Sequence, residues 1–191
     1  IWLHDLGRDV RTRFTFDSAD DAAPLFSPDG TRVAFVSARK GMGELFWRDA
    51  RGTGEEVLLF SSGTQLFAND WSPDGRLIVF SSLSRKSGFD LWIFSLESKK
   101  AEPWLEGPSG QFRARLSPNG RWIAYSSNES GNEELYVQAF PAKGEGRWQV
   151  SKGGGQASWR SDGKEIYYVG PDGTMMAAAV RTEGSFDVGP P

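Results

Sequence analysis

The tetrad Ser27-Pro28-Asp29-Gly30 recurs along the chain and decides the fold. It returns as Ser72-Pro73-Asp74-Gly75, as Ser117-Pro118-Asn119-Gly120 and, in weaker form, as Arg160-Ser161-Asp162-Gly163. The successive spacings are 45, 45 and 43 residues. Proline presets φ at the second position of a turn, Asp or Asn bonds its own backbone, and Gly accepts a positive φ. Each tetrad therefore predicts a hairpin turn between two strands.

The segments around each tetrad repeat as well. An aromatic residue or a leucine precedes the turn, at Phe26, Trp71, Leu116 and Trp159. Alternating apolar segments follow it at 32–37, 76–81, 121–126 and 164–169. Third strands are predicted at 44–49, 90–96, 134–140 and 174–182, and fourth strands at 55–60, 101–105, 147–151 and 185–188. Four short antiparallel strands per repeat are typical of a β-propeller blade, in which neighbouring sheets pack face to face.

These repeats predict a single all-β domain over residues 1–191, a propeller of four-stranded antiparallel blades. The blades fall near 20–60, 66–105, 110–151 and 154–188, after a partial blade at 1–16. About four and a half such blades would leave an apolar sheet face uncovered, and propellers usually close with about four to eight blades. We therefore expect part of a larger ring, or a ring that an oligomeric partner completes.

Composition excludes several classes of partner. The formal net charge is −3 and no block of Lys or Arg appears, so the electrostatic footprint of a nucleic-acid-binding protein is absent. No apolar run approaches the ~20 residues of a membrane span, so we expect no membrane contact by this segment. The absence of cysteine excludes disulfides and thiolate metal sites and leaves the compartment open.

Catalytic and metal-binding signatures are weak. His4 is the only histidine, it lies on a predicted strand, and no Gly-x-Ser-x-Gly motif accompanies it. Asp17, Asp20 and Asp21 miss the spacing of a calcium loop, which favours a solvated acidic loop. The sequence therefore predicts no enzyme, no cofactor and no metal.

Binding residues are expected in loops, because propeller strands are committed to packing. The face opposite the tetrads carries the loops between second and third strands and the blade-to-blade connections. Candidates in the first set are Arg39, Lys40, Arg85 and Lys86, and in the second Gln65, Gln111, Lys152 and Gln156. The two basic pairs are spaced 46 residues apart, which predicts basic patches on adjacent blades. They indicate either an acidic peptide ligand or a solubilising loop.

The repeat resembles the WD-like propeller repeat of the TolB family, whose hallmark is an aromatic-Ser-Pro-Asp-Gly turn followed by a strand such as 76–81. The final third of the chain carries a more specific pattern, the succession of segments 135–141, 148–151, 153–155 and 159–168. It is similar to the last blades of TolB-like propellers fused to bacterial transmembrane Ser/Thr protein kinases. The resemblance implies a non-catalytic periplasmic or extracytoplasmic module that binds a protein or peptide, and a fused kinase for which it is the sensor domain.

A second family association gives a different function. The same repeat occurs in the propellers of prolyl-oligopeptidase-like and tricorn-like serine peptidases, where the propeller gates access to a separate catalytic domain. A regulatory propeller of such a peptidase is therefore the alternative, and a cytoplasmic location stays open.

Overall fold

The computed structural model describes residues 1–142, 144 and 146–189, and all regular secondary structure in that part of the chain is β-strand. Among these residues no helix has the length and apolar character that a membrane span requires. The strands form one two-stranded sheet and four four-stranded sheets, numbered here as blades 1 to 5 in chain order. The prediction of an all-β propeller fold is confirmed.

The strand bounds are as follows. Blade 1 contains β1 (Trp2–Asp5) and β2 (Val10–Arg13). Blade 2 contains β3 (Asp21–Phe26), β4 (Arg32–Ser37), β5 (Glu44–Asp49) and β6 (Val57–Ser61). Blade 3 contains β7 (Leu66–Trp71), β8 (Leu77–Ser84), β9 (Gly88–Ser95) and β10 (Lys100–Leu105). Blade 4 contains β11 (Gln111–Leu116), β12 (Trp122–Ser127), β13 (Glu134–Ala139) and β14 (Arg147–Gln149). Blade 5 contains β15 (Gly155–Trp159), β16 (Glu165–Val169), β17 (Met175–Arg181) and β18 (Asp187–Val188).

The Ser-Pro-Asp-Gly tetrads form the turns between the first and second strands of their blades. In blade 3, Gly75 has φ of 76° and its N–H donates to the carbonyl of Ser72 at 2.7 Å. The Ser72 hydroxyl donates to Asp74 at 2.6 Å and accepts the N–H of Leu77 at 2.8 Å. A positive φ is easy for glycine and strained for other residues, which explains the fourth position of the tetrad.

Apolar layers between adjacent blades form the core. Between blades 2 and 3, Trp71 is buried and its ring stacks on Trp47 with 6.2 Å between centroids. Its equivalents differ in burial: Leu116 is buried, Trp159 is half-buried, and Phe26 is 54% exposed. Phe26 belongs to the blade whose other neighbour has only two strands, so less structure surrounds it.

The outer faces of the first and last blades are uncovered. Trp2 on β1 is 63% exposed, and Met175 on β17 is 70% exposed. Both faces are partly apolar, as expected of sheets that pack against a further blade in a closed propeller. The described residues thus form a partial propeller.

The first strand of each four-stranded blade lies innermost, where β3 packs against β7, β7 against β11, and β11 against β15. Each of these strands carries a β-bulge, at 22–25, 68–70, 112–115 and 155–158. The bulge residues Ala23, Arg113 and Gln156 have positive φ, of 50°, 55° and 61°. A bulge changes the direction in which the neighbouring side chains point, and here the bulge lies at the same place in each of the four blades.

Candidate functional site: the channel between the inner strands

The inner strands border a cavity of about 820 Å³ that we call the channel. Residues from all four complete blades line it: Ala23, Phe67, Ala68, Asn69, Ser81, Phe89, Phe112, Arg113, Arg115, Gln156, Ala157 and Ser158. Most of these residues belong to the bulged segments. The channel is therefore shaped by the one irregularity that the inner strands share.

Three phenylalanines give the channel wall an apolar part. The rings of Phe67 and Phe89 lie 5.7 Å apart, and Phe67 is 42% exposed. The guanidinium carbon of Arg113 lies 5.6 Å from the centroid of the Phe112 ring. An aromatic wall beside a few polar groups is the usual lining of a binding cavity.

A second cavity, of about 860 Å³, opens on the face opposite the Ser-Pro-Asp-Gly turns, between blades 4 and 5. We call it the mouth. Arg113 and Gln156 line both the mouth and the channel, and Lys152 lines the mouth. The two cavities therefore meet at the bulges of β11 and β15.

An ion pair between Arg113 and Glu133 spans this junction. The Arg113 Nη1 donates to both carboxylate oxygens of Glu133, at 2.8 and 3.1 Å. Gly155 leaves the space for that carboxylate, because a Cβ there would lie 2.1 Å from Glu133 Oε1. In the ladders of blades 3 and 4 the equivalent places hold Phe67 and Phe112. Glycine in place of an aromatic ring therefore opens the mouth.

On the turn face, Arg115 and Ser158 line both the channel and a cavity of about 410 Å³. Asp70 lies in the same cavity and accepts the N–H of Leu116 at 2.7 Å. Burial raises the pKa of Asp70, and the hydrogen bonds from Leu116 and Trp71, with the charge of Arg115, oppose that rise. The channel thus shares lining residues with a cavity on each face of the blades.

The predicted residues of the blade-to-blade connections occupy different environments. Lys152 and Gln156 meet in the mouth. Gln65 is exposed just before β7. Gln111 is buried at the start of β11, and its Nε2 donates to the carbonyl of Ser109 at 2.5 Å. The structure therefore brings two of these four residues together.

The hairpins that carry the two basic pairs differ in length by one residue. On the second strands, the equivalent amides of Ala38 and Leu83 are 45 residues apart. On the third strands, the equivalent residues Glu44 and Asp90 are 46 residues apart, which is also the spacing of the basic pairs. The shared repeat position of the two pairs therefore stays a prediction.

The Arg39 guanidinium is less accessible to a ligand than the sequence predicts. Its guanidinium pairs with Glu56 and with Asp21 at 3.3 Å, and it lies 4.4 Å from the centroid of the Phe46 ring. Its side chain is 15% exposed. Lys40, Arg85 and Lys86 are exposed on their loops. A binding role for this basic set stays a prediction.

The remaining candidates for chemistry lie elsewhere. His4 Nε2 lies 2.8 Å from Asp9 Oδ1 at the exposed hairpin of blade 1. Of the predicted acidic loop, Asp21 pairs with Arg39, and Asp17 lies 3.8 Å from the same guanidinium. Within the described residues, no group of three or more His, Cys, Asp or Glu side chains has the arrangement of a metal site.

Sequence reasoning missed the residues that line the channel most directly, Arg113, Arg115, Phe67 and Phe112. They lie in the first strands of their blades. The tetrad marks only where such a strand ends and does not show which of its side chains face the channel. A bulge adds a residue to the strand, so strict alternation assigns the side chains beyond it to the wrong face. The signal in the sequence was that Gly155 stands where blades 3 and 4 have Phe67 and Phe112, and where blade 2 has Ala22.

The comparisons with known proteins agree with this architecture. No family model matches the chain. It is 31% identical over 114 residues to the Tol-Pal system protein TolB of Anaeromyxobacter dehalogenans strain 2CP-C, and 32% identical over 114 residues to that of Anaeromyxobacter sp. strain K. Each match covers 60% of this chain and 26% of the relative, so the chain matches about a quarter of their length.

Solved structures share the fold. The crystal structure of TolB from Acinetobacter baumannii superposes with a TM-score of 0.77 at 19% identity, over 98% of this chain and 47% of that one. Hydrazine synthase from Kuenenia stuttgartiensis gives 0.65 at 14% identity, over 93% of this chain and 58% of that one. The chain therefore has a TolB-like propeller fold. Since an enzyme shares it, the fold alone does not specify function.

Proposed function

We propose that this chain is a non-catalytic propeller module that binds a segment of another protein in the channel and its mouth. The observation that carries the proposal is the channel, which shares lining residues with a cavity on each face and has an exposed phenylalanine, Phe67, on its wall. An exposed aromatic ring inside a concave, partly polar site is a typical anchor point for a protein ligand.

The likeness to TolB proteins supports the same function. Their name places them in the Tol-Pal system, which is a system of proteins. It also supports the periplasmic or extracytoplasmic location that the repeat resemblance implies. The narrower predictions, a sensor fused to a kinase and a gate for a serine peptidase, stay predictions, because no feature of the channel distinguishes between them.

The non-catalytic assignment rests on the chemistry of the site. The described lining of the channel holds arginine, amide, hydroxyl and apolar groups, and no histidine or carboxylate that would serve as a general base. The carboxylates of the mouth, Glu133 and Glu134, accept hydrogen bonds from Arg113 and from the Tyr136 hydroxyl. Arginine is charged throughout the physiological range and does not accept protons. The channel can therefore orient a ligand but offers little for proton transfer.

A displayed library of random dodecapeptides tests this function. We expect the chain to select peptides, and Phe67→Ala to reduce their binding about tenfold or more, as the loss of a central aromatic anchor does. Met175→Ala, which removes an apolar side chain 70% exposed on blade 5, is the matched control and should bind normally. Failure to select any peptide, or equal binding by both variants, would contradict the proposal.

A further inference from the structure

We infer that the ligand segment is acidic and that one of its carboxylates replaces Glu133 on Arg113. This inference rests on the proposed function and specifies the chemistry of the ligand. The observations that carry it are the charge of the channel lining, the geometry of the Arg113–Glu133 pair and the apolar wall beside it.

The charge of the channel is unbalanced. Its described lining contains Arg113 and Arg115 and no Asp or Glu. The carboxylates of the adjoining cavities are Glu133 and Glu134 at the mouth and Asp70 at the turn face. A concave site lined by one sign of charge concentrates its field and attracts ligands of the opposite sign. The channel therefore favours an acidic segment, although the chain as a whole has a net charge of −3.

Arg113 already holds a carboxylate in the position that a ligand would use. Its guanidinium is a planar fork of donors that suits carboxylate recognition. Its partner Glu133 belongs to the loop between β12 and β13, and the two side chains are 49% and 32% exposed. Ion pairs at this exposure are weak, so a ligand carboxylate held by further contacts in the channel can displace Glu133.

Arg115 offers a second cationic position further along the same strand. It donates to the backbone carbonyls of Asn69 and Ala114, which fixes its head group against blade 3. The three phenylalanines Phe67, Phe89 and Phe112 lie on the same channel wall. This arrangement fits a segment in which acidic residues stand close to an aromatic or aliphatic one.

The repeat itself provides conservative test substitutions. Gln156 occupies the bulge position of blade 5 that Arg113 occupies in blade 4, with φ of 61° against 55°. Ser158 is likewise the equivalent of Arg115. Arg113→Gln and Arg115→Ser therefore introduce residue types that this fold already carries at these places, so each variant should fold.

The same dodecapeptide library provides the test. We expect peptides selected by the wild-type chain to be enriched in Asp and Glu beside aromatic or aliphatic residues. Arg113→Gln should weaken binding of the selected acidic peptides about tenfold to a hundredfold, the range for loss of a charged hydrogen bond. Lys100→Ser is the control, because it removes an exposed charge on the outermost strand of blade 3, away from the channel. The double variant Arg85→Ser, Lys86→Ser tests the exposed basic loop, which the sequence predicts as another binding position.

Glu133→Gln gives the most specific test. If Glu133 competes with the ligand for Arg113, the substitution should increase affinity, whereas a Glu133 with only a structural role would give no increase. We expect affinity for the acidic peptides to rise about twofold to fivefold, as removal of a weak competing ion pair allows. Selected peptides without acidic enrichment, or a loss confined to the Arg85, Lys86 variant, would overturn the inference and leave the binding function standing. Selection of no peptide would overturn both.

Discussion

Asn69 accepts a hydrogen bond from the backbone N–H of Ala114, its own equivalent one repeat later, at 2.9 Å. Inner strands pair on one side only, so the N–H groups on their other edge need partners. Asn69 supplies one for β11 and also donates to the carbonyl of Phe67 and the hydroxyl of Ser81. Adjacent blades are therefore joined by directed polar contacts as well as by apolar packing.

Replacing Asn69 should cost stability. Asn69→Ala leaves the buried N–H of Ala114 without its acceptor, and an unsatisfied buried group costs about 1–3 kcal/mol. The midpoint of urea unfolding should fall accordingly. Asn132→Ala changes an exposed asparagine on the β12–β13 loop and should leave the midpoint in place. Equal midpoints for the two variants would refute the role of Asn69 in joining the blades.

The turn glycines should tolerate substitution less well than glycines with ordinary φ. A Cβ at Gly75 meets nothing within 4 Å, so the cost of Gly75→Ala comes from its φ of 76° alone. We expect a loss of about 1–2 kcal/mol in the free energy of unfolding. Gly107→Ala is the comparison, because Gly107 lacks a positive φ and its Cβ would lie 3.4 Å from the Gln111 amide. Similar losses for both would contradict the turn geometry.

Asp29 should make the stability of the fold depend on pH in the acidic range. The hydrogen bond from the Ser27 hydroxyl, followed by bonds from Thr31, lowers the pKa of Asp29 from 3.8 to about 2. A carboxylate with a depressed folded-state pKa contributes stability above its unfolded pKa and loses it as pH falls through the folded value. The contribution should therefore disappear between about pH 4 and pH 2.

Asn119 occupies the position in blade 4 that Asp29 occupies in blade 2, so exchanging Asp and Asn at the two positions tests this contribution. It accepts the same hydrogen bonds in blade 4, from the Ser117 hydroxyl at 2.7 Å and the Arg121 N–H at 3.1 Å. Asp29→Asn should keep the turn and reduce the drop in melting temperature from pH 4 to pH 2, whereas Asn119→Asp should increase it. Parallel acid curves for wild type and both variants would show that the turn carboxylates do not contribute in this way.

Much of the fold was predictable from the sequence because its signals are local. The tetrads that begin at Ser72 and Ser117 contain residues suited to the φ values of a turn. Their recurrence is visible when segments of the chain are compared with one another. Their regular spacing then implies repeated sheets, and sheets with apolar residues on both faces must stack. The same reasoning predicts Trp71 and Trp159 in equivalent core positions; Trp71 is buried, whereas Trp159 is half-buried.

The site was less predictable because it depends on departures from the repeat. The bulge at Arg113 changes which side chains face the channel without changing the residue pattern. Arg39 looked like a free basic residue, yet its ion pair with Glu56 joins residues 17 positions apart on different loops. Such contacts follow from three-dimensional packing, which turn chemistry and periodicity do not encode.

Photo-cross-linking tests the central claim, that the channel is the binding site, most directly. Benzoylphenylalanine at Phe67 places the reactive group on the channel wall, and at Val57, 47% exposed on the outermost strand of blade 2, it reports on the outside of the propeller. With a peptide selected from the library, we expect an adduct from position 67 and none from position 57, identified by mass spectrometry. An adduct from position 57 alone, or equal yields from both, would contradict binding in the channel.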